Sequence, residues 1–283
     1  MALRQNLSVA KRMVTFNAGT KIGFTIAAIF VLTSIVEAIG GRSVLPYSPT
    51  GISINNAFLP PSLAHPFGTN YIGTVLLSMI IAGAPNDAMV SFFVVVFAFV
   101  FGGFVGALAG YLSGWADEAL MRVTDVFFAI PALILAIAIV ARLGSGLLAI
   151  TFALIIVWWP SYARLSRGET LKVAHQNYIE AAKTSGFGTV RIVLSHVIPN
   201  IFLTLVVYFT LDLGTVVIFY AGLSYLGLSI PPPAPDWGYM VSNYQDYLIS
   251  APYLPVIPGL TIALSAIGFA LLGDGFRDAL EVV

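Results

Sequence analysis

Apolar residues along this chain cluster into long runs separated by short polar stretches. Six runs approach membrane-crossing length: residues 22–39, 89–111, 126–141, 147–163, 201–222 and 254–273. A helix needs about 20 residues to cross about 30 Å of hydrocarbon at 1.5 Å per residue. The third and fourth runs are short, so their ends extend into the flanking polar residues. A seventh run, 71–84, is shorter still and is followed by Pro85. Proline removes an amide donor and obstructs the preceding turn, so this run reads as an interfacial or re-entrant helix.

The pattern predicts an all-α integral membrane protein with about six transmembrane helices. Its divisions are a cytoplasmic segment 1–21, a first transmembrane helix 22–39, and an external loop 40–88 containing the interfacial helix. A core of five helices follows at 89–283, with a cytoplasmic loop at 164–200.

Composition agrees with the pattern. Charged residues make up 9% of the chain and hydrophobic residues 58%, whereas a soluble domain carries about 25% charged residues. This excludes a soluble enzyme and a disordered tail. Thirteen basic residues balance thirteen acidic ones, which leaves no basic footprint for nucleic acid. The chain has no cysteine, and its three histidines include no pair at helical ligand spacing. No metal site or bound cofactor is expected.

Orientation follows from charge, because Lys and Arg collect in cytoplasmic loops. With the N-terminus inside, Arg4, Lys11, Arg12, Lys21, Arg122, Arg164, Arg167, Lys172, Lys183, Arg191 and Arg277 are cytoplasmic. Only Arg42 and Arg142 are outside. Both termini are then cytoplasmic. Val36-Glu37-Ala38 has the outline of a signal cleavage site, but Glu37 suits it poorly, and the segment reads as an uncleaved first helix.

The 164–200 loop carries five of the thirteen basic residues. Leu171, Ala174, Tyr178 and Ala181 recur at helical spacing and predict one apolar face, with Glu180 pairing to Lys183 on the other. Ser185-Gly186 ends this helix. Thr189 is positioned to cap a second short helix, stopped by Pro199. Ala181 and Ala182 leave a low surface that another backbone can approach. Physics alone leaves two readings open: a docking corner for a partner, or a basic amphipathic loop on lipid headgroups.

Glu180-Ala181-Ala182, Gly186 and Ile198-Pro199-Asn200 resemble the cytoplasmic signature loop of ABC-importer permeases. The resemblance extends from His65 to Leu280 through His65-Pro66-Phe67-Gly68-Thr69, Met121-Arg122, Thr124-Asp125, Ala221-Gly222-Leu223-Ser224, Trp237-Gly238 and Leu272-Gly273-Asp274-Gly275. Their order and spacing are similar to the second permease of dipeptide/oligopeptide importers. Two departures bear on substrate: Asn70 to Val75 lacks the family's charged run, and Tyr220 stands where a Glu is common.

The resemblance implies a cell-membrane permease subunit that pairs with a homologous permease, two ATPase subunits and an external solute-binding protein. Glu180, Ala181, Ala182 and Gly186 would form the coupling helix and corner that dock on an ATPase. Arg191, Pro199 and Asn200 would fix the return into the fifth span. ATP and magnesium would be bound by the partner ATPases, since no lysine here follows the Gly-rich pattern of a phosphate loop. Substrates of this branch are di- and oligopeptides, nickel complexes or oligosaccharides, with peptides expected first. Pro231–Pro235, Asp236-Trp237-Gly238 and Tyr239–Ser250 would form an outer floor under the binding protein; Tyr239, Tyr244 and Tyr247 fit an interfacial aromatic belt, and Trp237 fits either.

Three features stand apart from the loop. Gly102, Gly106 and Gly110 recur every fourth residue and mark a close helix–helix contact, within the subunit or against a partner permease. Asp212 is an acid deep in a span, so it faces protein or a wet cavity, as a pathway residue or a structural hydrogen bond. Asp212 and Asp274 also raise a membrane aspartyl protease, but Asp274 ends its span, and Leu271 breaks the Gly-x-Gly-Asp signature. An ion-coupled secondary transporter would rest on Asp212 alone.

Overall fold

The computed structural model describes residues 18–281, all of the regular structure being helical apart from one isolated bridge between Thr69 and Val75. In chain order the helices are α1 (Ala18–Gly40), α2 (Leu76–Phe97), α3 (Gly103–Leu112), α4 (Gly114–Phe128), α5 (Ala132–Leu143) and α6 (Leu147–Val173). They continue with α7 (Asn177–Thr184), α8 (Thr189–Ile192), α9 (Ile198–Tyr225), α10 (Trp237–Tyr244) and α11 (Tyr253–Glu281). A π turn, Ala98–Gly102, joins α2 to α3, and another, Val193–Val197, joins α8 to α9. Each set therefore forms one rod of 37 residues.

Five rods are long and apolar enough to cross a bilayer, and α4 with α5, one pair bent by 81°, makes a sixth candidate span. Contacts show that the bent pair also runs from one end of the bundle to the other. Its start lies beside α3, whose Gly110 abuts Arg167 and Thr170 near the end of α6. Beyond its finish, the Gly146 amide donates to the Leu228 carbonyl (3.1 Å), close to α10 at the opposite end. Six traverses return the chain to the end where it began. Gly275 of α11 packs on Thr20 of α1, and α11 runs antiparallel to α9, with Gly214 against Ala266 and Gly273 against Leu211.

Close backbone approach holds the rods together. A Cβ on Gly102 would collide with the Trp159 carbonyl, and one on Gly106 with the Ala163 backbone. At Gly110 it would meet the Arg167 carbonyl at 2.9 Å. The stripe recurs every fourth residue on both partners, so the contact lies within the subunit, between the α2–α3 rod and α6. Gly23 and Gly268 form a second close approach, between α1 and α11.

Prolines depart from the sequence-based expectation in three places. Pro85 does not end the 71–84 run; α2 passes through it. Ile80, Ala84 and Asp87 are buried, and the Trp237 indole donates to the Ile80 carbonyl (2.8 Å), so packing maintains the helix across the gap. Pro199 does not stop α8, because the preceding π turn gives its ring room. Conversely, the 126–141 run is two arms of one elbow at Ala129, Ile130 and Pro131. A residue before proline is driven out of the helical region, and Pro131 begins α5 from an extended ψ of 130°.

Candidate functional site: the inter-rod corner and its opposite cap

The 164–200 segment folds into a corner at the end of the bundle. α6 closes at Val173; the chain turns through Ala174, and the Gln176 amide donates to the Val173 carbonyl (3.1 Å). The helix is broken between Val173 and Asn177, so the periodicity joining Leu171 to Tyr178 does not span one helix. Of the expected face Ala174 is buried, while Leu171, Tyr178 and Ala181 are exposed; the buried positions of α7 are Ile179 and Ala182. The expected apolar face is thus shifted by one residue and points into the bundle through Ile179 and Ala182. Partial burial raises the Tyr178 hydroxyl above its ordinary 10.0, keeping it neutral.

α7 ends in a two-bond cap. The Gly186 amide donates to the Lys183 carbonyl (3.0 Å), and the Phe187 amide reaches back to Ala182 (3.2 Å). Gly186 sits at φ 79°, the left-handed conformation this cap requires. α8 is capped at Gly188 rather than Thr189. Glu180 forms no ion pair with Lys183; Lys183 lies instead over the Tyr111 ring at the end of α3 (5.0 Å). Glu180 and Ala181 are left exposed on the outward surface.

The return arm is stiffened by stacking. Arg191 lies over Phe187 (4.2 Å), whose other ring neighbour is His196 (6.0 Å between centroids). The Asn200 carboxamide donates to the His196 carbonyl one turn back (2.5 Å). Gly186, Arg191, Pro199 and Asn200 therefore shape the corner, and Glu180 and Ala181 are what it presents.

Asp212 lies midway along α9. The Trp158 indole of α6 donates to its Oδ2 (3.1 Å), an inter-helix bond at half-buried depth. Asp274 is far along α11, beside Gly275 and Arg277 at the corner end, so the two acids do not form a catalytic pair.

At the opposite end, the segment expected as an outer floor carries a polar network that the sequence reading did not contain. Asp236 begins α10 and accepts hydrogen bonds from Tyr220 (2.6 Å), Ser229 (2.7 Å), Ser224 and the Tyr239 amide (3.1 Å). Tyr220, the departure from the family's acid, is the donor this carboxylate needs. Asp87 lies nearby, fully buried, with neither carboxylate oxygen hydrogen-bonded. Trp237 and Tyr244 are buried too, the Tyr244 hydroxyl accepting from Asn70 (3.1 Å). Tyr244 is therefore core rather than interfacial belt, and burial pushes its hydroxyl up to about 12.

Apolar rods of membrane-crossing length, closed at one end by a capped corner, define a multi-pass helical membrane protein. The family described as binding-protein-dependent transport system inner membrane component matches residues 102–281, and the chain belongs to it. It is a multi-pass permease subunit of an ABC importer, a class that works with ATPase subunits and a binding protein. It is 41% identical over 259 residues to the glutathione transport system permease protein GsiD of Escherichia coli O6:K15:H31, covering 90% of this chain and 84% of that one. The GsiD of Shigella dysenteriae serotype 1 is 40% identical over the same length. Among solved structures, an inward-facing MetNI methionine ABC transporter chain is similar in fold, with a TM-score of 0.60 and 21% identity. That match covers 74% of this chain and 98% of the other.

Proposed function

We propose that this permease imports peptide-like solutes of glutathione or dipeptide size, with both termini and the α7 corner in the cytoplasm. The likeness to GsiD across 90% of the chain supports the substrate class. The lysine and arginine distribution supports the orientation. The subunit pairs with a homologous permease, and two partner ATPases bind ATP and magnesium.

The corner is the coupling element. The observation that carries this role is a small helix with one face anchored and the other free. Ile179 and Ala182 are buried, whereas Glu180 and Ala181 stand exposed between the α7 cap and the α6 end. A groove on the ATPase receives this face, and nucleotide-driven closure displaces the rods attached to it. Asp212, held by Trp158, lies along the pathway flanked by α6 and α9.

The test uses the assembled complex in proteoliposomes with its binding protein. Glutathione and dipeptides are expected to stimulate ATP hydrolysis and enter the lumen; oligosaccharides and nickel complexes are not. Uptake of an oligosaccharide alone would overturn the substrate class. Glu180→Ala with Gly186→Val is expected to remove stimulation. Unchanged stimulation in that double variant would overturn the coupling role.

A further inference from the structure

α4 has no glycine stripe against α6, yet it follows α6 closely. Two arginines one turn apart on α6 grip it. Arg167 donates through Nε and an Nη to both oxygens of Asp117 (2.5 and 2.6 Å), a paired fork on a carboxylate that is 11% exposed. Arg164 donates to Asp125 (2.6 Å) and lies over the Phe128 ring (3.9 Å). Asp117 is in the first turn of α4, where the helix dipole favours a carboxylate. Phe128 is the last residue of α4, directly before the elbow.

The grip therefore spans α4 from its first turn to its hinge. On the other side, the same stretch of α6 is fixed to the α2–α3 rod. The Ser166 hydroxyl donates to the Gly103 carbonyl (2.6 Å), and Gly110 sits on Arg167 and Thr170. Below Thr170, α6 passes directly into the turn that carries α7. Bidentate arginine–carboxylate pairs fix orientation as well as distance, so a displacement of the corner reaches α4 with little lost in between.

We propose that Arg164 and Arg167 are positioning residues that transmit movement of the α7 corner to α4. α4 and the lower part of α6 then move as one body about the elbow at Ala129, Ile130 and Pro131. This rests on the coupling role of α7 given above, and it places the moving joint of the bent pair at a defined site. α5, beyond the elbow, keeps its own contact with the upper part of α6.

The experiment compares Arg167→Asp, Asp117→Arg and the charge-swapped double variant in the complete reconstituted complex. Complex yield, basal ATP hydrolysis, substrate-stimulated hydrolysis and uptake are measured on each. Each single variant is expected to lose stimulation about tenfold at normal yield, and the swap to recover most of it. Arg167→Gln and Asp117→Asn, which avoid like-charge repulsion, serve if the reversed variants fail to assemble, and are expected to lose stimulation too. Stimulation unchanged in the single variants, or a swap no better than they are, would overturn the proposal. Gly186→Val in parallel separates the two readings. If it loses stimulation while the arginine variants do not, only the transmission to α4 fails. If it keeps stimulation, the coupling role itself fails.

Discussion

The Trp158 indole and the Asp212 carboxylate are joined by a 3.1 Å hydrogen bond between α6 and α9. Indole is a donor only, so Trp158 depends on an acceptor at this position. Asp212→Asn retains an oxygen there and is expected to shift thermal stability by about 1 kcal/mol or less, whereas Asp212→Leu orphans the donor and costs about 1–3 kcal/mol. Thermal unfolding of the detergent-purified complex checks this. A pathway role adds a second expectation: Asp212→Asn lowers uptake at unchanged stability.

Gly106 sits against the Ala163 backbone, which cannot retreat as a side chain would. Gly106→Val is expected to separate the rods and cost about 3 kcal/mol or more, visible as lost complex yield. Gly168, on the same α6, has no atom near its missing Cβ. Gly168→Ala is expected to stabilise by about 0.5–1 kcal/mol through the helix backbone. A Gly106→Val complex as stable as the parent would contradict the close approach.

Gly186 and Gly188 separate backbone conformation from bulk. Both have open space around them, but only Gly186 holds a positive φ, 79° against −69° for Gly188. Gly186→Ala is expected to cost about 1–2 kcal/mol of local cap stability and to reduce substrate-stimulated ATP hydrolysis. Gly188→Ala should leave that stimulation near the parent value. Hydrogen exchange over residues 177–188 reports the cap directly.

Asp236 and Asp87 differ in what surrounds them. Asp236→Ala removes the acceptor for Tyr220, Ser224, Ser229 and the α10 amide and is expected to destabilise by about 3 kcal/mol or more. Asp87 has no hydrogen-bond partner to lose among the described residues. Asp87→Asn replaces a buried, unpartnered acid beside Asp236 by a neutral amide of the same shape and is expected to maintain or raise the unfolding temperature. A large loss on Asp87→Asn would show that its carboxylate has a partner.

Much of this arrangement is legible from residues alone. Five of the six apolar runs lie within rods because burial in lipid needs long continuous apolarity. The Gly102–Gly106–Gly110 spacing already carries its helical period, and Gly186 marks the corner by the one conformation it accepts cheaply. What is hidden depends on tertiary partners. Pro85 continues α2 because Trp237 and buried neighbours across the bundle support it, and nothing local announces that. Pro131 bends a run of similar hydropathy. The α7 face moves by one residue because Gln176 starts a new helix rather than extending α6. Asp236 announces its helix cap through the Tyr239 amide three residues on, but its side-chain donors lie seven to sixteen positions away in sequence, so the network around it does not show locally.

The Leu76–Leu112 rod extends about 55 Å at 1.5 Å per residue, nearly twice the hydrocarbon thickness. Its final turn lies beneath the Lys183 ammonium through Tyr111, while Leu76 and Met79 sit beside Asn70 and Tyr244 at the far face. One unbranched mast thus touches both surfaces of the protein. A tilt carried along that mast would displace its foot and its head together, joining the two ends of the bundle through one element.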